Sequence, residues 1–145
     1  LYMISEGKIS VAVAGTTISN GLGWSPDGKH MYFIDTPTKK VMRYTFDTST
    51  GDMSDPHCFA EITNGSPDGM CVDIDGSVWV AQWGGSCVSH YNAATGEKLG
   101  EIKLPVKNVS CCAVGGENMD TLYITTARSA ENEPLAGGLF AVKIR

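Results

Sequence analysis

Long apolar runs are missing from this chain of 145 residues. No stretch exceeds about five residues, against the ~20 needed to span a bilayer, so a transmembrane helix is excluded and no membrane partner is expected. Basic runs are missing too. Asp and Glu outnumber Lys and Arg by 16 to 11, for a net charge of -5, and nothing clusters that could track a phosphate backbone. Nucleic acid is therefore not an expected partner. The first residues lack the basic, apolar, small-residue order of a signal peptide. The five cysteines, Cys58, Cys71, Cys87, Cys111 and Cys112, fit no CxxC or Cys/His zinc spacing. Cys71, Cys111 and Cys112 lie in apolar, strand-like runs and read as reduced core thiols, which implies a cytoplasmic setting. No serine sits in a GxSxG context, so a serine hydrolase is disfavoured. Segments with a sustained 3.6-residue period are also absent, which argues against a helical bundle.

What the chain does contain is turn chemistry and short apolar segments. With 17 Gly, 6 Pro and 42% hydrophobic residues it is too apolar for disorder and too turn-rich for helices, so an all-β fold is expected. The sequence also repeats. Asn20-Gly21-Leu22 begins a run through Asp27-Gly28 and Tyr32 to Asp47-Thr48-Ser49-Thr50-Gly51. Asp68-Gly69-Met70 begins a second through Asp75-Gly76 and Trp79 to Asn92-Ala93-Ala94-Thr95-Gly96, and a weaker third starts near Val109-Ser110 and carries Tyr123. A period of ~40 to 50 residues built from short strands is the mark of β-propeller blades.

Each full unit divides into four strand-sized pieces. Gly21–Trp24 stops at Ser25-Pro26-Asp27-Gly28, where Pro presets φ and Asp-Gly suits a tight turn. His30–Asp35, Val41–Phe46 and His57–Ala60 follow, and the second unit repeats the plan from Met70 to Lys103. Leu1–Ile4 and Ile9–Ala14 read as the outer strands of a split blade, and Ser110–Val114, Leu122–Thr126 and Gly138–Ile144 as three strands of another. The expected organisation is outer strands in 1–15 and blades over 20–63, 68–104 and 109–145. Three blades do not close a ring. The opening at Leu1 without methionine thus reads as a cut through a blade, with the rest supplied by a missing N-terminal half or a second copy of the chain.

At Asn20-Gly-Leu-Gly-Trp-Ser-Pro-Asp-Gly28, Tyr32-Phe-Ile-Asp-Thr36, Pro67-Asp-Gly-Met-Cys-Val-Asp-Ile-Asp-Gly76, Trp79-Val-Ala-Gln82, Leu104-Pro105 and Ser110-Cys-Cys112, the chain resembles the C-terminal half of the SMP-30/gluconolactonase/luciferin-regenerating-enzyme family. Leu122–Arg128 and Ala136–Phe140 resemble the family's C-terminal signature. The resemblance implies half of a six-bladed propeller holding one divalent cation in its central cavity, with lactone hydrolysis as the common activity. It also implies metal ligands at Asn20 and Asp68, while the family's remaining ligands have no position in these residues.

Both residues stand at the same point of successive repeats, just before the first strand, so both would face a common axis. Their hard oxygen donors suit Ca²⁺ first, with Mg²⁺, Mn²⁺ or Zn²⁺ as alternatives. Asp68 is also the candidate catalytic residue, a general base toward water, whereas the Asn20 amide has no useful proton chemistry. The bland alternative is that Asn20-Gly21 and Asp68-Gly69 are only turn dipeptides. Asp35 reads as a turn acceptor, Asp73 and Asp75 as far-rim residues, Arg128 as half of a blade-to-blade ion pair, and Trp83 as a possible wall of the cavity. His30, His57 and His90 fall at non-equivalent repeat positions, which disfavours a histidine metal site. The expected function is metal-dependent hydrolysis of a small-molecule sugar lactone or related ester. Competing readings are a non-catalytic, regucalcin-like calcium-binding protein, an organophosphate hydrolase, a scaffold for protein partners and an inactive fragment.

Overall fold

Thirteen strands account for the architecture among the described residues, and each sheet is a simple antiparallel meander. The structure, a computed structural model, describes residues 1–129 and 132–145. β1 (Tyr2–Ser5) and β2 (Lys8–Val11) form a hairpin turned by Glu6 and Gly7, both at positive φ. The next sheet contains β3 (Ser19–Trp24), β4 (His30–Asp35), β5 (Lys40–Phe46) and β6 (Met53–Glu61) in sequence order. A second four-stranded sheet contains β7 (Ser66–Val72), β8 (Val78–Trp83), β9 (Cys87–Tyr91) and β10 (Lys98–Lys103). β11 (Val109–Gly115), β12 (Thr121–Thr126) and β13 (Leu139–Lys143) make a three-stranded sheet. The described residues contain no α-helix, only a 3-10 turn at Thr36–Thr38, and no helix long and apolar enough to cross a membrane. The fold is all-β, with about three blade-like sheets.

The first strands of successive sheets lie side by side, β3 against β7 and β7 against β11. That stacking covers β8, in the middle sheet, on both faces. Val78 and Val80 of β8 point into a cluster with Tyr32, Ile34, Val41 and Phe59 of the preceding sheet. Trp79 and Ala81, the alternate residues, point into a second cluster with Val88, Leu122 and Ile124. Because successive side chains alternate across a sheet, a strand buried on both faces must be apolar at every position, which is why Val78–Ala81 reads as an unbroken hydrophobic run. β12 lies at the end of the stack and shows the opposite case: Leu122 and Ile124 are buried while Tyr123 between them is 40% exposed. Apolar residues at the other end, Tyr2, Ile4, Ile9 and Val11 of the hairpin, are likewise exposed.

The repeated turns are built alike. Asp47 Oδ1 accepts from the Ser49 amide at 2.8 Å, and Asn92 Oδ1 accepts from the Ala94 amide at 2.9 Å. Each loop closes through a glycine amide, Gly51 to the Asp47 carbonyl at 2.7 Å and Gly96 to the Asn92 carbonyl at 2.9 Å. Gly96 has φ +72°, and a side chain there would collide with the carbonyl of Phe59, so glycine is required twice over.

Four expectations need correction. β7 begins at Ser66 and β3 at Ser19, so Asp68 and Asn20 lie inside the first strands rather than before them. β6 runs from Met53 to Glu61, well beyond the short fourth strand expected, while β2 stops at Val11. Cys111 is exposed rather than a core thiol, because its side chain leaves the opposite face of β11 from buried Cys112. Arg128 turns back to its own sheet, with Nε donating to the Ala136 carbonyl at 3.5 Å. A long-range ion pair is instead made by Arg145, to Asp73 at 3.0 Å and Asp75 at 2.6 Å.

Since Ile34 is fully buried and Ile4 is 73% exposed, Ile34→Ala should cost about 2–5 kcal/mol in denaturant unfolding and Ile4→Ala within about 0.5 kcal/mol of zero.

Candidate functional site

The same irregularity interrupts all three innermost strands. In β3 the pairing passes from Ser19↔Asp35 to Leu22↔Phe33, in β7 from Pro67↔Gln82 to Met70↔Val80, and in β11 from Val109↔Thr126 to Cys111↔Thr125. Each step leaves one extra residue on the inner strand, a β-bulge. Bulges bend a strand and re-aim a side chain, and they recur beside functional sites. The residues in these bulges are Asn20-Gly21, Asp68-Gly69 and Ser110. The two positions named from the repeats are thus structurally equivalent, and a third, Ser110, joins them.

The glycines set how closely these strands approach. A Cβ on Gly21 would stand 2.6 Å from the Asp68 carbonyl oxygen and 2.8 Å from the Met70 amide nitrogen, and one on Gly69 would stand 2.8 Å from Cys111 Cα. Backbone, together with the Met70 and Cys111 side chains, fills the space a side chain would need. Each strand therefore packs against the next at the level of its bulge, which brings Asn20 beside Asp68.

Polar contacts tie the pair together across the sheet boundary. Asn20 Nδ2 donates to Thr36 Oγ1 at 3.1 Å, and Thr36 Oγ1 donates to the Pro67 carbonyl at 2.9 Å, one residue from Asp68. Burial pushes the Asp68 carboxyl above the ordinary carboxylate value, and hydrogen bonding from the Asn20 side chain and the Gly69 amide only partly offsets it. An anion held partly out of water without a matched cation gains from any positive charge brought near it. On the third strand Ser110 Oγ lies 3.0 Å from Thr125 Oγ1. Although Cys111 is exposed as a residue, its Sγ packs against Gly69, next to Asp68; the partial loss of water there, and then the charges of Cys71 and Asp68, push the thiol up.

The other candidates fall elsewhere. Asp35 accepts from the amides of Thr17 and Ile18, the nearer at 2.7 Å, and so acts as a local turn acceptor. Asp73 lies past the opposite end of β7 from Asp68, where it accepts from Trp79 Nε1 at 3.3 Å and pairs with Arg145. His90 stacks flat on Trp79 with ring centroids 3.8 Å apart, and His57 accepts from Arg43 Nε. Trp83 is the last residue of β8, paired across from Ser66 and bridged to Asn108, at the Asp68 end of the sheet. Among the described residues no three His, Cys, Asp or Glu side chains converge as a metal cage. A groove of about 390 Å³ lies between the β1–β2 hairpin and the next sheet, lined by Leu22, Trp24, Met31 and Phe46. It takes in neither Asn20 nor Asp68, so it is not the site these oxygen donors would form. The sequence placed the start of the third repeat near Val109-Ser110 but gave Ser110 no role, because neither Asn nor Asp stands at that position. Thr36 was missed because its contacts are made between sheets.

Comparison with known proteins places this geometry in context. A family model described as the SMP-30/gluconolactonase/LRE-like region matches residues 1–128. Pentonolactonase XacC of Haloferax volcanii is 40% identical over 125 residues, which cover 85% of this chain and 43% of that protein. Human regucalcin is 37% identical over 133 residues, covering 86% of this chain and 44% of regucalcin. Among solved structures, a calcium-binding protein, regucalcin, from Agrobacterium tumefaciens superposes with a TM-score of 0.90 at 29% identity, over 97% of this chain and 50% of that one. The chain spans about half the length of the relatives it matches.

Two outcomes follow from the glycine and carboxylate geometry. Gly69→Ala should destabilise the fold by about 1–3 kcal/mol as β7 and β11 are forced apart, whereas Gly100→Ala, where a Cβ meets nothing within 4 Å, should be near neutral in the same unfolding titration. The folded Asp68 carboxyl has a raised pKa, so its ionisation opposes folding and that cost appears as pH rises through the folded value. Without added cation, Asp68→Asn should therefore melt above the parent at pH 7, and the difference should shrink on acidification.

Proposed function

The chain belongs to the SMP-30/gluconolactonase/LRE-like family, and on that premise we propose that it is part of a divalent-cation-dependent hydrolase of sugar lactones or related esters, with Asn20 and Asp68 as cation ligands. The observation carrying this reading is the pair of equivalent bulges that set an amide and a half-buried carboxylate side by side on adjacent innermost strands. The donor set fits a hard cation, one neutral oxygen and one anionic, with Ca²⁺ favoured. Ca²⁺ takes six to eight oxygens, so the remaining donors come from water and from the rest of a six-bladed ring, provided by further chain or by a second copy. Within that ring, residues 1–15 serve as outer strands of a split blade and 20–63, 68–104 and 109–145 as blades. The five free cysteines suit a reducing, cytoplasmic setting.

When bound, the cation would polarise the lactone carbonyl and make a coordinated water more acidic. Asp68 is the base that takes the proton from the attacking water. As the new C–O bond forms and the ring C–O bond breaks, Asp68 returns that proton to the departing ring oxygen, and a hydroxy acid leaves. Asn20 contributes its carbonyl oxygen and no proton chemistry. The Ser110 and Thr125 hydroxyls, on the neighbouring strand pair, are available to the hydroxyls of a sugar-derived substrate.

A binding protein without turnover is the second reading, supported by the calcium-binding description of the Agrobacterium relative. It shares both ligands but needs no base. Sugar-lactone hydrolysis measured with and without chelator separates the two. Activity should vanish on chelation and fall by about 10²–10⁴-fold in Asp68→Asn. Full cation-dependent activity in Asp68→Asn would remove Asp68 as base, and cation binding with no hydrolysis would favour the second reading.

A further inference from the structure

We propose that Thr36 is the positioning residue that sets which end of the Asn20 amide faces the site. An asparagine amide has two nearly isosteric ends, an oxygen that accepts and an NH₂ that donates. Only the oxygen can bind a cation, so a ligand asparagine needs something that distinguishes the two. Thr36 does so through proton counting. Its hydroxyl owns one proton, and that proton is committed to the Pro67 carbonyl, which can only accept. The hydroxyl oxygen therefore offers lone pairs alone toward Asn20, at 3.1 Å. Nδ2 must occupy that contact, since Oδ1 in its place would set lone pairs against lone pairs. The second Nδ2 proton is directed to the Asp68 carboxyl, so both amide protons are engaged, and Oδ1 is left turned from Thr36 with no hydrogen bond from the described residues.

The backbone of Thr36 is itself held from two sides. The Thr36 amide donates to the Ile18 carbonyl at 3.1 Å, and its own carbonyl accepts from the Lys39 amide at 3.2 Å, closing the 3-10 turn Thr36–Thr38. Asp35, its neighbour, accepts from the Thr17 and Ile18 amides. The turn that carries Thr36 is thus fastened to the segment leading into Asn20, while its hydroxyl reaches across to the strand that carries Asp68. One side chain couples the placement of both ligands. Partners of this kind, which touch a ligand rather than the metal, change metal affinity by about 10–100-fold when removed.

This inference rests on the cation reading above, so its test has one arm that needs no cation. In ¹⁵N-labelled protein at its natural length, the Asn20 side-chain amide protons should exchange slowly in the parent, about tenfold or more faster in Thr36→Val, and near the parental rate in Thr36→Ser. In the second arm Ca²⁺ is titrated by calorimetry. Thr36→Val should weaken binding about 10–100-fold and Thr36→Ser should restore it. In an Asn20→Asp background, where no amide remains to orient, adding Thr36→Val should change affinity by no more than about twofold. A merely structural threonine would lower affinity equally in both backgrounds. Should Thr36→Val not fold, Thr36→Ala also lacks the hydroxyl and carries the same test. Unchanged amide exchange in the hydroxyl-free variants overturns the assignment to Thr36. Absence of Ca²⁺ binding in the parent, with the exchange pattern intact, overturns the cation reading and leaves the amide orientation set by Thr36.

Discussion

Close approach of backbone to backbone between β3, β7 and β11 is the constraint on which the rest of this molecule depends. Gly21 and Gly69 permit it because each faces the main chain of the next strand where any Cβ would overlap it. Strands that pack this tightly at their inner ends hold the sheets as a stack, and the stack buries both faces of β8 between two apolar clusters. Dispersion and apolar burial then supply the stability that glycine, with its large conformational entropy, does not. The same approach puts the bulged residues of adjacent strands within reach of one another. Packing and site geometry share one cause.

The site carries a local cost that the surrounding fold absorbs. Asp68 is half-buried and its carboxyl is pushed toward the protonated form, the reverse of what pure stability would favour. Elsewhere the chain treats its acids differently. Asp120 lies beside Lys143 at 2.7 Å, and Glu101 beside Lys98 at 2.6 Å, and both carboxyls are held low by those partners. Asp73, more deeply buried than Asp68, is supplied with Arg145 and the Trp79 indole. Asp68 has only the neutral Asn20 amide and the Gly69 backbone, an arrangement that keeps a carboxylate receptive to a cation or a proton.

Much of the fold was legible in the sequence because its determinants are local. Alternating or unbroken apolar segments located thirteen strands, and Asp27-Gly28, Asp75-Gly76 and the loops ending at Gly51 and Gly96 marked their turns. Asn20 and Asp68 stood out as one position repeated, a relation that needs no coordinates. The errors arose where distant strands decide. Cys111 sits in an apolar run, yet next to the bulge at Ser110 its side chain lies over Gly69 on the innermost strands and stays exposed. Arg128 invited an ion-pair role that belongs to Arg145, whose partner Asp75 lies 70 residues away.

By itself, then, the sequence determined the all-β class, the repeat and the residue types available to the site, since strand period, turn chemistry and side-chain identity are properties of short segments. Only the tertiary structure decided that Asn20, Asp68 and Ser110 lie within bulged strands, and that Thr36 links Asn20 to Pro67. Those relations are made by hydrogen bonds and steric contacts between sheets, and no interaction along a single strand encodes them.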